Sequence, residues 1–291
     1  MTLPANLINM IKVKYEKFPI ALAGCRTTEY ALECCEYNFV IMSDQNLHEL
    51  LHVNDILAEI HSIRTKPDLY EIALSLQNIQ VINDPSWTLA TLKQDITAIM
   101  LKALSLYARN RTVDALLCAN RSRETVNSNT QTASLWLKCA AYYYLEGVIA
   151  KNGSRPMPTH MLSQLRSMNE SEGEGIAIAS TCLGLERANR SSASRCMEAS
   201  MELNNSVAKT HFNEIVARKA RFLFQSGMYA DCYFYLGYIA RNAAVMLMSD
   251  QKALKNYTFM LNIAMDLNTD PSFIIKFSNG LIDSCNALLV R

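Results

Sequence analysis

The chain has 291 residues, half of them hydrophobic, which is enough for one large domain or two ordinary ones with their own cores. Its 28 basic and 27 acidic side chains nearly cancel, which argues against a dedicated duplex-DNA or membrane-surface binder. The nine cysteines, with Cys34-Cys35 the only close pair, form no CxxC or Cys/His zinc pattern and read as buried thiols of a reducing cytoplasm.

Residues 3–18 have helical spacing, and Asn6, Lys12, Lys14 and Glu16 among the apolar positions make this an amphipathic helix rather than a secretory signal. Residues 20–23 and 39–42 are short apolar runs suited to buried strands. A third strand is predicted over 56–63, a helix opening at Pro67 over 67–76, and a last strand over 79–82. Asn83-Asp84-Pro85 then breaks the chain. Beyond Trp87 nearly everything carries three-and-four spacing: helices are predicted near 88–108, 111–126, 131–152, 158–168, 174–187, 208–226, 228–248, 250–267 and 271–289. The main breaks fall at 152–158, 167–175 and 189–194. No apolar run is read as reaching the ~20 residues that span a bilayer.

The expected fold class is therefore α+β. A mixed sheet of four or five strands with helices on one side occupies 1–86, and a large all-helical domain occupies 87–291. Within 209–240, Ala217, Ala220, Phe224, Gly227, Tyr229 and Ala230 are similar to a single tetratricopeptide-like hairpin, and one unit alone makes no repeat array.

The most informative stretch is Pro19-Ile20-Ala21-Leu22-Ala23-Gly24-Cys25, followed ten residues later by Glu36-Tyr37-Asn38-Phe39-Val40-Ile41-Met42. A glycine after a strand lets the backbone turn tightly and come close to a ligand. A helix starting near Thr27 or Thr28 would aim free amides at that turn and favour an anion there. On the next strand Glu36 and Asn38 are two apart and share a face. Two carboxylates so placed bind Mg²⁺ against nucleotide phosphates; Glu59 on the third strand is the best candidate for a further acid. Asn38 is an amide, so one of the two charges is missing.

Gly24-Cys25, ten residues, then Glu36-Tyr37-Asn38-Phe39 resembles the signature of the nucleotidyltransferase superfamily typified by DNA polymerase β. The stretch 72–85 is similar to the end of the catalytic domain in the aminoglycoside-type members, and Asn152-Gly153-Ser154-Arg155-Pro156-Met157-Pro158 to a loop of their helical domain. The resemblance implies that Gly24 and Cys25 lie on the phosphate side and that Glu36, Asn38 and Glu59 lie on the metal side as the catalytic set. The implied cofactors are Mg²⁺ and a nucleoside triphosphate. The implied reaction transfers a nucleoside monophosphate to a hydroxyl of a small molecule, protein or RNA end. The acceptor would be reached by helices near 131–165. Self-association into a homodimer is left open, no membrane partner is expected, and the expected location is the cytoplasm. Cys25 stands where the family has serine, and Asn38 where it has its second acid. The competing expectation is therefore a catalytically inactive relative that binds a nucleotide or a protein through its helical region.

Other residues read more plainly. His48 and His52, four apart, are expected on a solvated helix face, and His61, His160 and His211 form no ligand pattern with them. Tyr142-Tyr143-Tyr144 and Tyr229, Tyr233, Phe234, Tyr235 and Tyr238 are expected in the core rather than stacked on bases. Arg109, Arg111, Arg121 and Arg123 make a modest basic cluster. Asp84 is expected to cap a turn or helix. No Gly-Lys-Ser/Thr loop, nucleophile elbow or Cys/His dyad is present.

Overall fold

The computed structural model describes residues 4–168, 173–207, 212–248 and 250–290. The chain is α+β and divides into two compact units, 1–105 and 106–291. The division falls inside one helix rather than near residue 86, because the first part of that helix belongs to the core beneath the sheet.

In the first unit, strands β1 (Ile20–Ala23), β2 (Tyr37–Met42), β3 (His48–Val53), β4 (Ile56–Ile63) and β5 (Gln80–Asn83) form one sheet in the order β3-β4-β2-β1-β5. Only β2 and β4 run parallel; the other three pairings are antiparallel, so the sheet is mixed. Alternation along each strand sorts the side chains to two faces. Ile20, Leu22, Phe39, Ile41, Ala58 and Ile60 pack against Leu7 and Ile11 of helix α1 (Ala5–Lys14) and against Tyr15 just beyond it. Ala21, Ala23, Val40 and Met42 pack against Leu89, Leu92 and Ile96 of helix α3 (Thr88–Thr125) and against Ala73, Leu76 and Ile79 near the short helix α2 (Leu69–Ile72). The sheet is thus covered on both faces, not one, because α1 is apolar along a full stripe and needs a partner surface.

Several elements up to the end of α3 depart from the expectation. β3 is an edge strand, so His48 and His52 lie on a strand; positions four apart share a face there as they do on a helix. α2 starts after Asp68, whose carboxylate accepts from the amides of Tyr70 and Glu71, and not at Pro67. The predicted helices near 88–108 and 111–126 are one 38-residue helix, since no glycine or proline interrupts them. Asp84 caps α3, accepting from the amides of Thr88 and Ala90.

In the second unit, α4 (Thr130–Lys151) is buried on nearly every side. It packs against α5 (Met161–Arg166), α6 (Gly173–Leu183) and α11 (Pro271–Val290). Helices α7 (Arg190–Val207), α8 (Phe212–Gln225), α9 (Tyr229–Leu247) and α10 (Gln251–Met265) form the rest. α7 was not predicted: its sequence is polar, but Asn189 accepts from the amides of Ser191 and Ser192 and starts it. His211 and the start of the 209–240 segment lie outside the described residues. α11 does have the length and mean hydropathy of a membrane span, contrary to the sequence reading. It buries Ile274, Ser278, Leu281, Cys285 and Leu288 within this unit at three-and-four spacing.

Candidate functional site at the glycine turn

β1 ends at Ala23, and Gly24 turns the chain with φ 77° and ψ −161°, a conformation that L side chains rarely adopt. The next residues, Cys25–Thr27, form a single 3₁₀ turn and not an α-helix. Hydroxyls close it: Thr27 donates to the Gly24 carbonyl and Thr28 to that of Cys25, each at 2.8 Å. The expected row of free helix amides is therefore absent here, and with it the dipole argument for a phosphate. Cys25 is buried.

The register places the predicted metal-side residues next to one another. Ala23 pairs with Asn38 across β1 and β2, and Asn38 pairs with Glu59 across β2 and β4. Glu36 lies just before β2 and is buried. The side chains make different choices. The Asn38 amide donates to Glu36 Oε1 at 3.1 Å. The opposite amide orientation would set two oxygens against each other, so the nitrogen is the atom that faces the carboxylate. Asn38 also lies directly over the glycine: a Cβ at position 24 would overlap its amide nitrogen and come within 3.2 Å of its Cγ. Glu59 points the other way, with Oε1 2.9 Å from His48 Nε2 on β3.

A Mg²⁺ ion needs near-octahedral oxygen ligands and favours carboxylates. Here an N–H donor faces one oxygen of Glu36, and one oxygen of Glu59 is turned to an imidazole. In this arrangement the side chains do not converge as an oxygen cage for the ion that the sequence motif implies.

Arg26 holds the excursion between the glycine turn and β2, and sequence reasoning missed it. Its guanidinium donates to the carbonyls of Cys35 (2.8 Å from Nε) and Glu33 (2.9 Å from Nη2) and lies 4.5 Å from the centre of the Tyr37 ring. An arginine paired to carbonyls within its own loop leaves no periodic mark in a sequence. Gln164 acts similarly in the second unit, donating to the Arg155 carbonyl and accepting from the Met157 amide, which fixes the loop read as family-like.

The second unit contains a separate buried charge cluster. Arg241 of α9 is buried against Glu146 of α4 at 2.6 Å. Its guanidinium lies 4.4 Å from the ring centres of both Tyr143 and Tyr238. Burial alone would lower the Arg241 pKa, but the Glu146 carboxylate reverses this and keeps the group charged. Tyr107 donates to Glu146 Oε2 at 3.1 Å, and burial together with that carboxylate raises its pKa. Tyr142, Tyr144, Tyr233, Phe234 and Tyr235 are buried. Of the basic cluster, Arg111 pairs with Asp114 at 2.9 Å and Arg121 lies 5.0 Å from the Trp136 ring centre.

No protein-family model and no curated protein sequence matches the chain. A crystal structure of a nucleotidyltransferase-like protein from Exiguobacterium sibiricum 255-15 is similar in structure, with a TM-score of 0.42 and 12% identity over 90% of this chain and 89% of that one. At that score and identity the likeness assigns neither site nor activity here.

Proposed function

We propose that this chain is a catalytically inactive, nucleotidyltransferase-like protein whose work is binding. The observation that carries this reading is the Asn38 amide donating to Glu36 Oε1 at 3.1 Å, which turns an N–H group, rather than a second oxygen ligand, toward the carboxylate that a metal would use. Binding then falls to the helical region. Its tyrosines Tyr142, Tyr144, Tyr233 and Tyr235 are buried, so they offer no stacking platform for a base, which favours a protein partner over a nucleotide.

The rival reading, metal-dependent transfer of a nucleoside monophosphate, retains one observation in its favour. Ala23, which precedes Gly24, Asn38 and Glu59 occupy neighbouring register positions on three adjacent strands, as such a site requires. Incubation with α-labelled ATP, GTP, CTP or UTP and either Mg²⁺ or Mn²⁺, over hydroxyl-bearing small molecules, proteins and RNA ends, separates the two. The proposal expects no label transferred by the wild-type protein. Metal-dependent labelling of any acceptor, lost in Glu36→Gln, would overturn it.

A further inference from the structure

We propose that Cys25 and Cys35 form a redox pair that clamps the connection between the glycine turn and β2, closing as a disulfide when the protein meets a peroxide. Both residues lie in the first unit, and the inference does not depend on whether the turn binds a nucleotide or a metal.

The connection brings its two ends together. Cys25 opens the 3₁₀ turn and Cys35 directly precedes Glu36, yet their Sγ atoms lie within 4.8 Å of each other. Hydrogen bonds fix this approach. The Cys35 amide donates to the Leu32 carbonyl at 3.1 Å, and the Leu32 amide donates back to Cys35 Sγ at 3.4 Å. Arg26, the chain neighbour of Cys25, donates from Nε to the Cys35 carbonyl at 2.8 Å and ties the two ends to one place. A disulfide needs the sulfurs to close from that separation to ~2 Å, a step within reach of rotation about the two Cα–Cβ bonds.

Cys25 is 7% exposed and Cys35 1%, so Cys25 is the sulfur that meets the oxidant. It attacks one peroxide oxygen, the O–O bond breaks, and Cys25 becomes a sulfenic acid as the first water leaves. Cys35 then attacks the Cys25 sulfur. The S–S bond forms, the S–O bond breaks, and the hydroxyl leaves with the Cys35 proton as a second water. Two thiols thus give up two electrons, and hydrogen peroxide is reduced to two waters. The Leu32 amide on Cys35 Sγ and the Arg26 guanidinium on the carbonyl of the same residue are neighbours that suit a sulfur carrying negative charge. The second unit's cysteines are held as thiols instead: burial pushes Cys118, Cys182, Cys232 and Cys285 up to about 12. Once closed, the bond does covalently what Arg26 does in the reduced protein, and it fixes the residue that leads into Glu36.

The test treats the reduced, folded full-length protein with a small excess of hydrogen peroxide, then reads intact mass and, after alkylation, the peptide map. Loss of two hydrogens and a cross-link from Cys25 to the peptide holding Cys35 are expected, both reversed by dithiothreitol. Because Cys34 shares that peptide, Cys34→Ser is expected to close as wild type does and Cys35→Ser to leave Cys25 unlinked. Amides of residues 28–34 should exchange about tenfold or more slowly in the oxidised wild-type protein. The proposal is overturned if wild-type Cys25 and Cys35 both remain alkylatable after peroxide, or if the bond forms between other cysteines. It is equally overturned if folded Cys35→Ser still links Cys25, or if the closed bond leaves exchange over 28–34 unchanged.

Discussion

Asn38 and Glu59 are direct partners across β2 and β4, yet their side chains turn in opposite directions, Asn38 to Glu36 and Glu59 to His48. That divergence separates the sequence motif from the chemistry the motif suggests. The backbone keeps the two positions adjacent, and the side chains spend their polar groups elsewhere.

Gly24→Ala tests how closely the turn is built around Asn38. The substitution meets both a left-handed φ of 77° and the Asn38 amide nitrogen. Loss of about 1–3 kcal/mol of unfolding free energy is expected in urea titration. Adding Asn38→Ala should recover only part of it, because it removes the overlap and leaves the backbone strain.

Arg26→Ala should loosen the connection from the 3₁₀ turn to β2. The Cys35 and Glu33 carbonyls each lose a charged donor, a change of about 1–3 kcal/mol. Hydrogen exchange should accelerate first at the amides of residues 28–36, ahead of any change in β4.

Glu146→Ala should be among the most damaging changes in the second unit. It leaves the buried Arg241 guanidinium without its carboxylate, at a cost of about 3–5 kcal/mol. The pair Glu146→Leu with Arg241→Met should be far milder than the sum of the single changes, and a double-mutant cycle by chemical denaturation measures the coupling.

Lys138 gives a pH-dependent prediction. Its ammonium is buried in α4 and donates to the Leu183 carbonyl at 2.9 Å, and burial lowers its pKa from 10.5 to about 8. Below pH 8 both the folded and unfolded chains carry the proton, and the fold bears the full desolvation penalty. Between about 8 and 10.5 the unfolded chain binds more protons, so this group's contribution to stability rises with pH, by about 3 kcal/mol in all. Lys138→Met should therefore stabilise the protein at pH 7, with an advantage that shrinks as pH rises through that window. The Leu183 carbonyl still accepts from Tyr233, so the variant leaves it bonded.

The fold was legible where burial writes a clear period. The strand over 20–23 stands where its apolar run placed it, because interior strands of a covered sheet need apolar residues on both faces, and the strand over 56–63 stands where it was expected with Leu57, Ala58 and Ile60 buried. β3 was not legible. His48, Glu49, Leu50, Leu51 and His52 form an edge strand with no fully buried position, so its composition reads as solvated surface on either a helix or a strand. α7 was hidden for a related reason, since small and polar residues fill its exposed sides. At the candidate site, the shared face of Glu36 and Asn38 came from their spacing. The partners of Arg26 and Glu59 did not, because a side chain's choice among nearby acceptors depends on loop path and strand order. No local pattern records either.

On the proposed reading, the Asn38 amide engages Glu36 Oε1 and the glycine turn binds no metal. Calorimetric titration of ATP and GTP, with and without Mg²⁺, into wild-type protein and Asn38→Asp tests this most directly. Two acids at 36 and 38 would repel in the absence of a cation, so Asn38→Asp is expected to acquire Mg²⁺-dependent triphosphate binding while wild type shows none. Tight triphosphate binding by the wild-type protein that requires Mg²⁺ would contradict the account.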